Sequence, residues 1–113
     1  MEYLPIFVST RHCQAIVVGD GLLAEAKCRA LLKTTANVML FSTQPTPVLL
    51  QWCHERRLQL ETRACDLADL KTARLVYAAS DCDHENARIA QLAREAGIWV
   101  NVVDCPDACD FIT

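Results

Sequence analysis

One stretch constrains this chain more than any other: Ala15-Ile16-Val17-Val18-Gly19-Asp20-Gly21-Leu22-Leu23-Ala24-Glu25-Ala26-Lys27, an apolar run that stops at a glycine and resumes with helical spacing. β-Branched and other apolar residues without polar alternation suit a strand covered on both faces, the condition of a parallel sheet. Gly19, Gly21 and Ala24 then form a G-x-G-x-x-A pattern directly behind that strand. The first glycine admits a sharp turn and the second leaves room for a pyrophosphate against the backbone. The small third residue lets helix and strand pack closely. Unpaired N–H groups and the positive end of the helix dipole face the same point, so the stretch reads as a dinucleotide cradle. Gly19, Asp20, Gly21, Leu22 and Leu23 are its cofactor-binding candidates. Asp20 runs against the pattern, because a carboxylate in an anion-binding turn costs electrostatic energy unless its side chain points away.

The rest of the chain repeats strand and helix. Leu22, Leu23, Ala26, Ala30 and Leu31 recur at three- and four-residue spacings and predict a helix over 21–33 with one apolar face. Asn37 to Phe41 is a second strand, closed by Ser42-Thr43-Gln44-Pro45-Thr46-Pro47. Dinucleotide folds that prefer NAD place Asp or Glu at this strand end to hold the ribose 2′-hydroxyl. Here Ser42 or Thr43 stands there, which leaves the choice between NAD and NADP open. A helix over 48–57, a third strand over 58–63, a short helical turn over 66–71 and a fourth strand over 74–79 follow. The fourth strand ends at Ala79-Ser80-Asp81, further candidates for cofactor contact. A helix over 84–96 has Asp83 as N-cap and Gly97 as its stop. The fifth strand, 98–103, delivers Asp104, and Phe111-Ile112-Thr113 resembles the start of one more.

Five strands alternating with helices predict an α/β fold, a Rossmann-like parallel sheet in the order 3-2-1-4-5 with helices on both faces. Ligands of such sheets bind at the C-terminal ends of the strands. That rim would gather Gly19, Gly21, Ser42, Ser80, Asp81 and Asp104. The 113 residues suit one domain, and a net charge of −3 with mixed signs speaks against a nucleic-acid partner. No apolar run is long enough to span a bilayer, and Met1-Glu2-Tyr3-Leu4-Pro5 lacks the basic and apolar regions of a signal peptide, so the expected setting is cytoplasmic. The seven cysteines are odd in number and form no CxxC pair, which suits reduced thiols better than a disulfide framework or a zinc knuckle. A metal site built from Cys105, Cys109 and His84 is the minor alternative, and no metal ligand is assigned. Trp52 and Trp99 read as core or near-core rings.

Four patches, in order along the chain, resemble one family, the Rossmann portion of siroheme synthase and of precorrin-2 dehydrogenase/sirohydrochlorin ferrochelatase. They are Tyr3-Leu4-Pro5-Ile6-Phe7; Val17-Val18-Gly19-Asp20-Gly21 with Ala24 and Lys27; Ala78-Ala79-Ser80-Asp81 with Asn86; and Asn101-Val102-Val103-Asp104-Cys105-Pro106 with Phe111-Ile112. The resemblance implies NAD-dependent oxidation of precorrin-2 to sirohydrochlorin, with Fe²⁺ as a further substrate where chelation also occurs. It implies Asp104 as the catalytic carboxylate, a tetrapyrrole as substrate, and a homodimer formed through the family's second half, which these 113 residues do not include. Asp20 replaces the family's middle glycine and Ala26 its usual arginine. Arg11, His12 and Lys27 are the nearby candidates for holding substrate carboxylates. Two other functions fit the same residues: a non-catalytic NAD(P)-sensing module with no use for Asp104, and a domain kept for assembly whose turn is spoiled by Asp20.

Overall fold

The computed structural model describes residues 2–113. Along the chain run β1 (Gln14–Val18), α1 (Leu22–Leu31), β2 (Asn37–Phe41), α2 (Pro47–His54), β3 (Gln59–Glu61), α3 (Leu67–Leu70), β4 (Leu75–Ala78), α4 (Asp83–Ala96) and β5 (Trp99–Val102), then a 3₁₀ turn at Pro106–Ala108. All strand pairs are parallel and the order is β3-β2-β1-β4-β5, as the alternation of elements predicts. Val18 stands opposite both Phe41 and Ala78, and Ala78 opposite Val102. The C-terminal ends of the four longer strands therefore finish level, at one rim.

Period-two alternation sends β1 side chains to opposite layers. Ala15 and Val17 pack with Ala24, Cys28 and Leu31 of α1 and Leu49 of α2. Ile16 and Val18 pack with Leu70 of α3 and with Ile89, Ala90 and Ala93 of α4. Both faces of the strand are thus covered, which explains its lack of polar positions. The inward line of α1 differs in part from the sequence expectation: Leu31 is buried and Leu23 packs on the core as expected, but the other three positions do not. Ala24, Cys28 and Leu31 are buried, whereas Ala26, Ala30 and Leu22 are exposed, Leu22 to 78%. The glycine turn brings the helix close to the sheet, and close packing selects the narrow side chains rather than the bulkiest.

Helix ends follow local chemistry. Thr46 caps α2, its hydroxyl accepting from Leu49 N–H at 3.2 Å, with Pro47 at the first helical position. Asp66 and Asp69 form a reciprocal capping box on α3. The α4 helix begins at Asp83 with Cys82 as N-cap and no side-chain cap, so the expected Asp83 cap lies one residue too far along. Within the first turn its carboxylate still favours the helix dipole. Gly97 ends α4 at φ 74°, as expected.

The Arg63 guanidinium donates to both Asp69 oxygens at 2.8 Å and, with the help of the Asp66 N–H, holds that carboxyl down at about 2 against burial. A depressed carboxyl pKa stabilises the fold above the unfolded value of 3.8 and ceases to do so as pH falls through about 2. Acid unfolding followed by circular dichroism is expected to lose this contribution between those two values, and Asp69→Asn is expected to flatten the curve over the same interval.

No extra strand forms at Phe111–Thr113. The tail instead closes the outer edge of β5 largely with side chains. Asp110 N–H donates to Val100 O at 2.8 Å, the Asp110 carboxylate accepts from Val100 N–H at 3.0 Å, and the Asn101 amide donates to Phe111 O at 3.0 Å. A single backbone bond is too little for a ladder, and a carboxylate in place of a neighbouring carbonyl stops further pairing. Phe111 lies edge-on to Tyr77 at 5.5 Å and beside Trp99, whose ring is exposed at this edge rather than in the core. Glu2–Val8 has no regular structure and borders an apolar cleft of about 880 Å³ with Leu31, Leu75, Tyr77 and Trp99. Arg11 and His12 precede β1 and so lie at the N-terminal rim, a strand's length from Gly19, which removes them as partners of a ligand at the C-terminal rim. Lys27 lies over the Tyr77 ring at 5.3 Å and reaches Thr113. Among the described residues no helix is long and apolar enough to cross a membrane.

Candidate functional site

Gly19 N–H donates to Phe41 O at 3.1 Å, so the turn begins where β1 and β2 end. A Cβ on Gly19 would overlap the Ala79 carbonyl, standing 2.7 Å from its carbon, and the backbone there has φ +157°. Only glycine lets the end of β4 come this close. Gly21 is different: a Cβ there would meet nothing nearer than an Asp81 carboxylate oxygen at 3.6 Å. The protein itself does not need glycine at 21, and the space is left to whatever approaches the first turn of α1. That turn has no side-chain cap, and its leading N–H groups point into the same space. An anionic group of a dinucleotide fits these features. Leu22, exposed, opens the helix; Leu23, partly buried, anchors it to the core.

The Asp20 carboxylate turns toward the end of β2. Its Oδ1 accepts from Ser42 Oγ at 2.6 Å and Gln44 N–H at 3.1 Å, and its Oδ2 from Thr43 Oγ1 at 3.4 Å. Partial burial works against the charge, but the hydrogen bonds from Ser42, Gln44 and Thr43 outweigh it and hold the carboxyl below the usual aspartate range. Ser42 is 3% exposed and its hydroxyl donates to Asp20, which holds that acid in place.

Behind β4 the chain is pinned by Asn86, which is buried in the first turn of α4. Its amide oxygen accepts from Ser80 N–H at 3.0 Å and its amide nitrogen donates to Ser80 O at 2.9 Å. The Ser80 hydroxyl accepts from Cys82 N–H at 3.0 Å, and Ala79 N–H donates to Val18 O at 2.8 Å. This leaves Asp81 exposed beside Gly21. Asn86→Ala would orphan two backbone groups of Ser80, and the expected cost is about 2 kcal/mol in guanidinium unfolding.

At β5, Val103 N–H donates to Ala78 O at 3.0 Å, which fixes the strand end level with Ala79. Asp104 follows, exposed, at φ 62°. The turn it sits in is closed by Cys105 N–H to Val102 O at 3.1 Å, a backbone bond, so the turn does not depend on the carboxylate. With β4 between β1 and β5, the tips of β1 and β5 are roughly 10 Å apart at the usual strand spacing. The structure therefore brings the glycine turn, Ala79, Ser80, Asp81 and Asp104 to one rim.

On the α3/α4 side of that rim lies a cleft of about 110 Å³, lined among others by Gly19, Asp20, Phe41, Ser42, Arg63 and Arg88. The two arginines are absent from the sequence-derived site. Arg63 follows β3, whose end faces the same rim, and lies over the Phe41 ring at 5.3 Å. Arg88 donates to Glu85 at 2.6 Å and to Cys65 O at 2.8 Å. Strand order was the signal available for Arg63; nothing in the sequence marks Arg88. Among the described residues no group of three His, Cys, Asp or Glu side chains is placed to hold a metal. All seven cysteines are unpaired; Cys13, Cys28 and Cys65 are buried, and burial, with nearby Glu25 and Asp69 respectively, pushes the Cys28 and Cys65 thiols up to about 12.

Residues 6–113 match an NAD(P)-binding family. The chain is 39% identical over 112 residues to a siroheme synthase of Methylococcus capsulatus, 35% over 112 residues to one of Nitrosococcus oceani, and 36% over 113 residues to one of Pseudoalteromonas atlantica. These alignments cover 99–100% of the chain but only 24% of each relative. The solved structure of SirC, precorrin-2 dehydrogenase, shares the fold with a TM-score of 0.80 at 16% identity, over 88% of this chain and 50% of that one. The chain belongs to the NAD(P)-binding family, as a Rossmann domain of the kind carried by siroheme synthases.

Proposed function

We propose that this domain is the dinucleotide-binding part of a longer enzyme that oxidises precorrin-2 to sirohydrochlorin with NAD in siroheme biosynthesis. The observation that carries the reading is the meeting at one rim of an uncapped helix start behind a glycine turn and, two strands away, the free carboxylate of Asp104. NAD, when bound, supplies the hydride acceptor. The chain supplies the rest. The first turn of α1, with Gly21 bare of a side chain, would hold the pyrophosphate, and Ala79, Ser80 and Asp81 would make further contact with the cofactor. Oxidation of the macrocycle releases a proton as well as a hydride, and Asp104 is placed to take it. In the complete protein the same carboxylate would accept pyrrole protons as Fe²⁺, a second substrate, enters. The domain is acidic overall, so basic residues for the substrate's own carboxylates come from the remainder of the enzyme, together with any homodimer contact. Unpaired thiols suit a cytoplasmic setting.

Titration of the chain with NAD⁺ and NADH by calorimetry tests the binding half of this reading, with saturable binding at micromolar to submillimolar concentration as the expected result. Precorrin-2 oxidation, followed by absorbance in a protein joining this chain to the remaining three quarters of a siroheme synthase, tests the catalytic half. Binding without turnover in that protein would instead identify an NAD(P)-sensing module, and no binding a domain kept for assembly.

A further inference from the structure

The strand end where NAD-preferring folds carry an acid holds Ser42 and Thr43 instead, and yet a carboxylate is present there. It belongs to Asp20, which leaves the glycine turn, crosses the tip of β1, and takes hydrogen bonds from three consecutive residues behind β2. We propose that Asp20 is the ribose-reading acid of this domain, accepting from the 2′-hydroxyl of the adenosine ribose of NAD and repelling the 2′-phosphate of NADP. This rests on the dinucleotide reading above and assigns that site its cofactor preference.

Two features support it. The bonds are unequal: Oδ1 takes the 2.6 and 3.1 Å bonds, whereas Oδ2 has the longer 3.4 Å contact with the Thr43 hydroxyl, on an exposed residue. Every donor to the carboxylate lies behind β2, so its charge is directed away from the α1 start and toward the place where the ribose edge lies in such folds. Of the two cations lining the cleft beside Asp20, Arg63 is spent on Asp69 in a two-bond pair, whereas Arg88, bonded to Glu85 and the Cys65 carbonyl, keeps one buried guanidinium nitrogen without a partner among the described residues, so the NADP⁺ arm of the titration below weighs Asp20 directly against it. An acid can thus replace the middle glycine of the turn because it performs at the end of β2 the task no residue of β2 performs.

The test is a paired titration of this chain with NAD⁺ and NADP⁺, repeated for Asp20→Asn and Asp20→Gly, with a thermal melt of each variant to show that it folds. The parent is expected to favour NAD⁺ by about 30-fold or more, the size of a hydrogen bond to a charged acceptor. Asp20→Asn keeps the shape and removes the charge, and is expected to bring the two affinities within about threefold, chiefly by admitting NADP⁺. An unchanged ratio in Asp20→Asn, or an unselective parent, would overturn the assignment while leaving the dinucleotide site intact. Tighter binding of both cofactors by Asp20→Gly would overturn it as well, marking Asp20 as an obstruction. If neither cofactor bound parent or variants, the dinucleotide reading itself would fail and this assignment with it.

Discussion

Gly19→Ala is expected to lower the melting temperature by roughly 10–20 °C and to abolish dinucleotide binding. The added methyl would lie inside the van der Waals shell of the Ala79 carbonyl, on a backbone at φ +157°. Neither neighbour can yield. The Ala79 backbone is held by its own bond to Val18 O, and Gly19 by its bond to Phe41 O. Overpacking and backbone strain together cost about 3 kcal/mol, which for a domain of this size corresponds to the stated shift. Gly21→Ala provides the contrast. Its methyl meets only an ordinary 3.6 Å contact with Asp81, so the fold is expected to survive while NAD⁺ affinity drops about tenfold or more, because the methyl occupies the pyrophosphate's approach. Thermal melts and calorimetric titrations of the two variants check both outcomes; a melt within 2 °C of the parent for Gly19→Ala would contradict the close approach of β1 and β4.

On the proposed function, Asp104→Asn is expected to reduce precorrin-2 oxidation by about 10²–10⁴-fold in the protein that joins this chain to the rest of a siroheme synthase, with NAD⁺ affinity unchanged, the range associated with loss of a positioned acid–base group. Asparagine is the informative replacement because Asp104 sits at φ 62°, a region that Asn and Asp tolerate and alanine resists. An alanine variant would mix chemistry with about 1 kcal/mol of local strain. Steady-state rates at saturating NAD⁺, beside a binding titration, separate the two effects. A rate within twofold of the parent would remove Asp104 from the chemistry and leave it as a turn residue.

The parallel order and the common rim were legible in the sequence because apolar runs ending in Gly19, Ser42, Ser80 and Asp104 alternate with helical periods, and right-handed crossovers leave few topologies. Less legible was anything decided by direction. The helical spacing of Leu22, Ala26 and Ala30 gave no sign that the sheet would take Ala24 and Cys28 beside the expected Leu31, since alanines lie on both faces of α1 and mark neither. Phe111-Ile112-Thr113 has strand composition, but the Asp110 carboxylate occupies the position a ladder would need. Asp20 looked like a fault in an anion site, because sequence gives its place in the turn and not the three donors waiting behind β2.

The narrow line on α1 has a consequence for how this family can vary. Ala24 and Cys28, both fully buried, act as shims between helix and sheet. A thicker residue at 28 would tilt the helix outward like a wedge under a lever, lifting its start from the tip of β1 without touching any ligand contact. Affinity for anything bound at the α1 start would then depend on residues a helical turn or more below it, in positions that a survey of binding contacts alone would overlook.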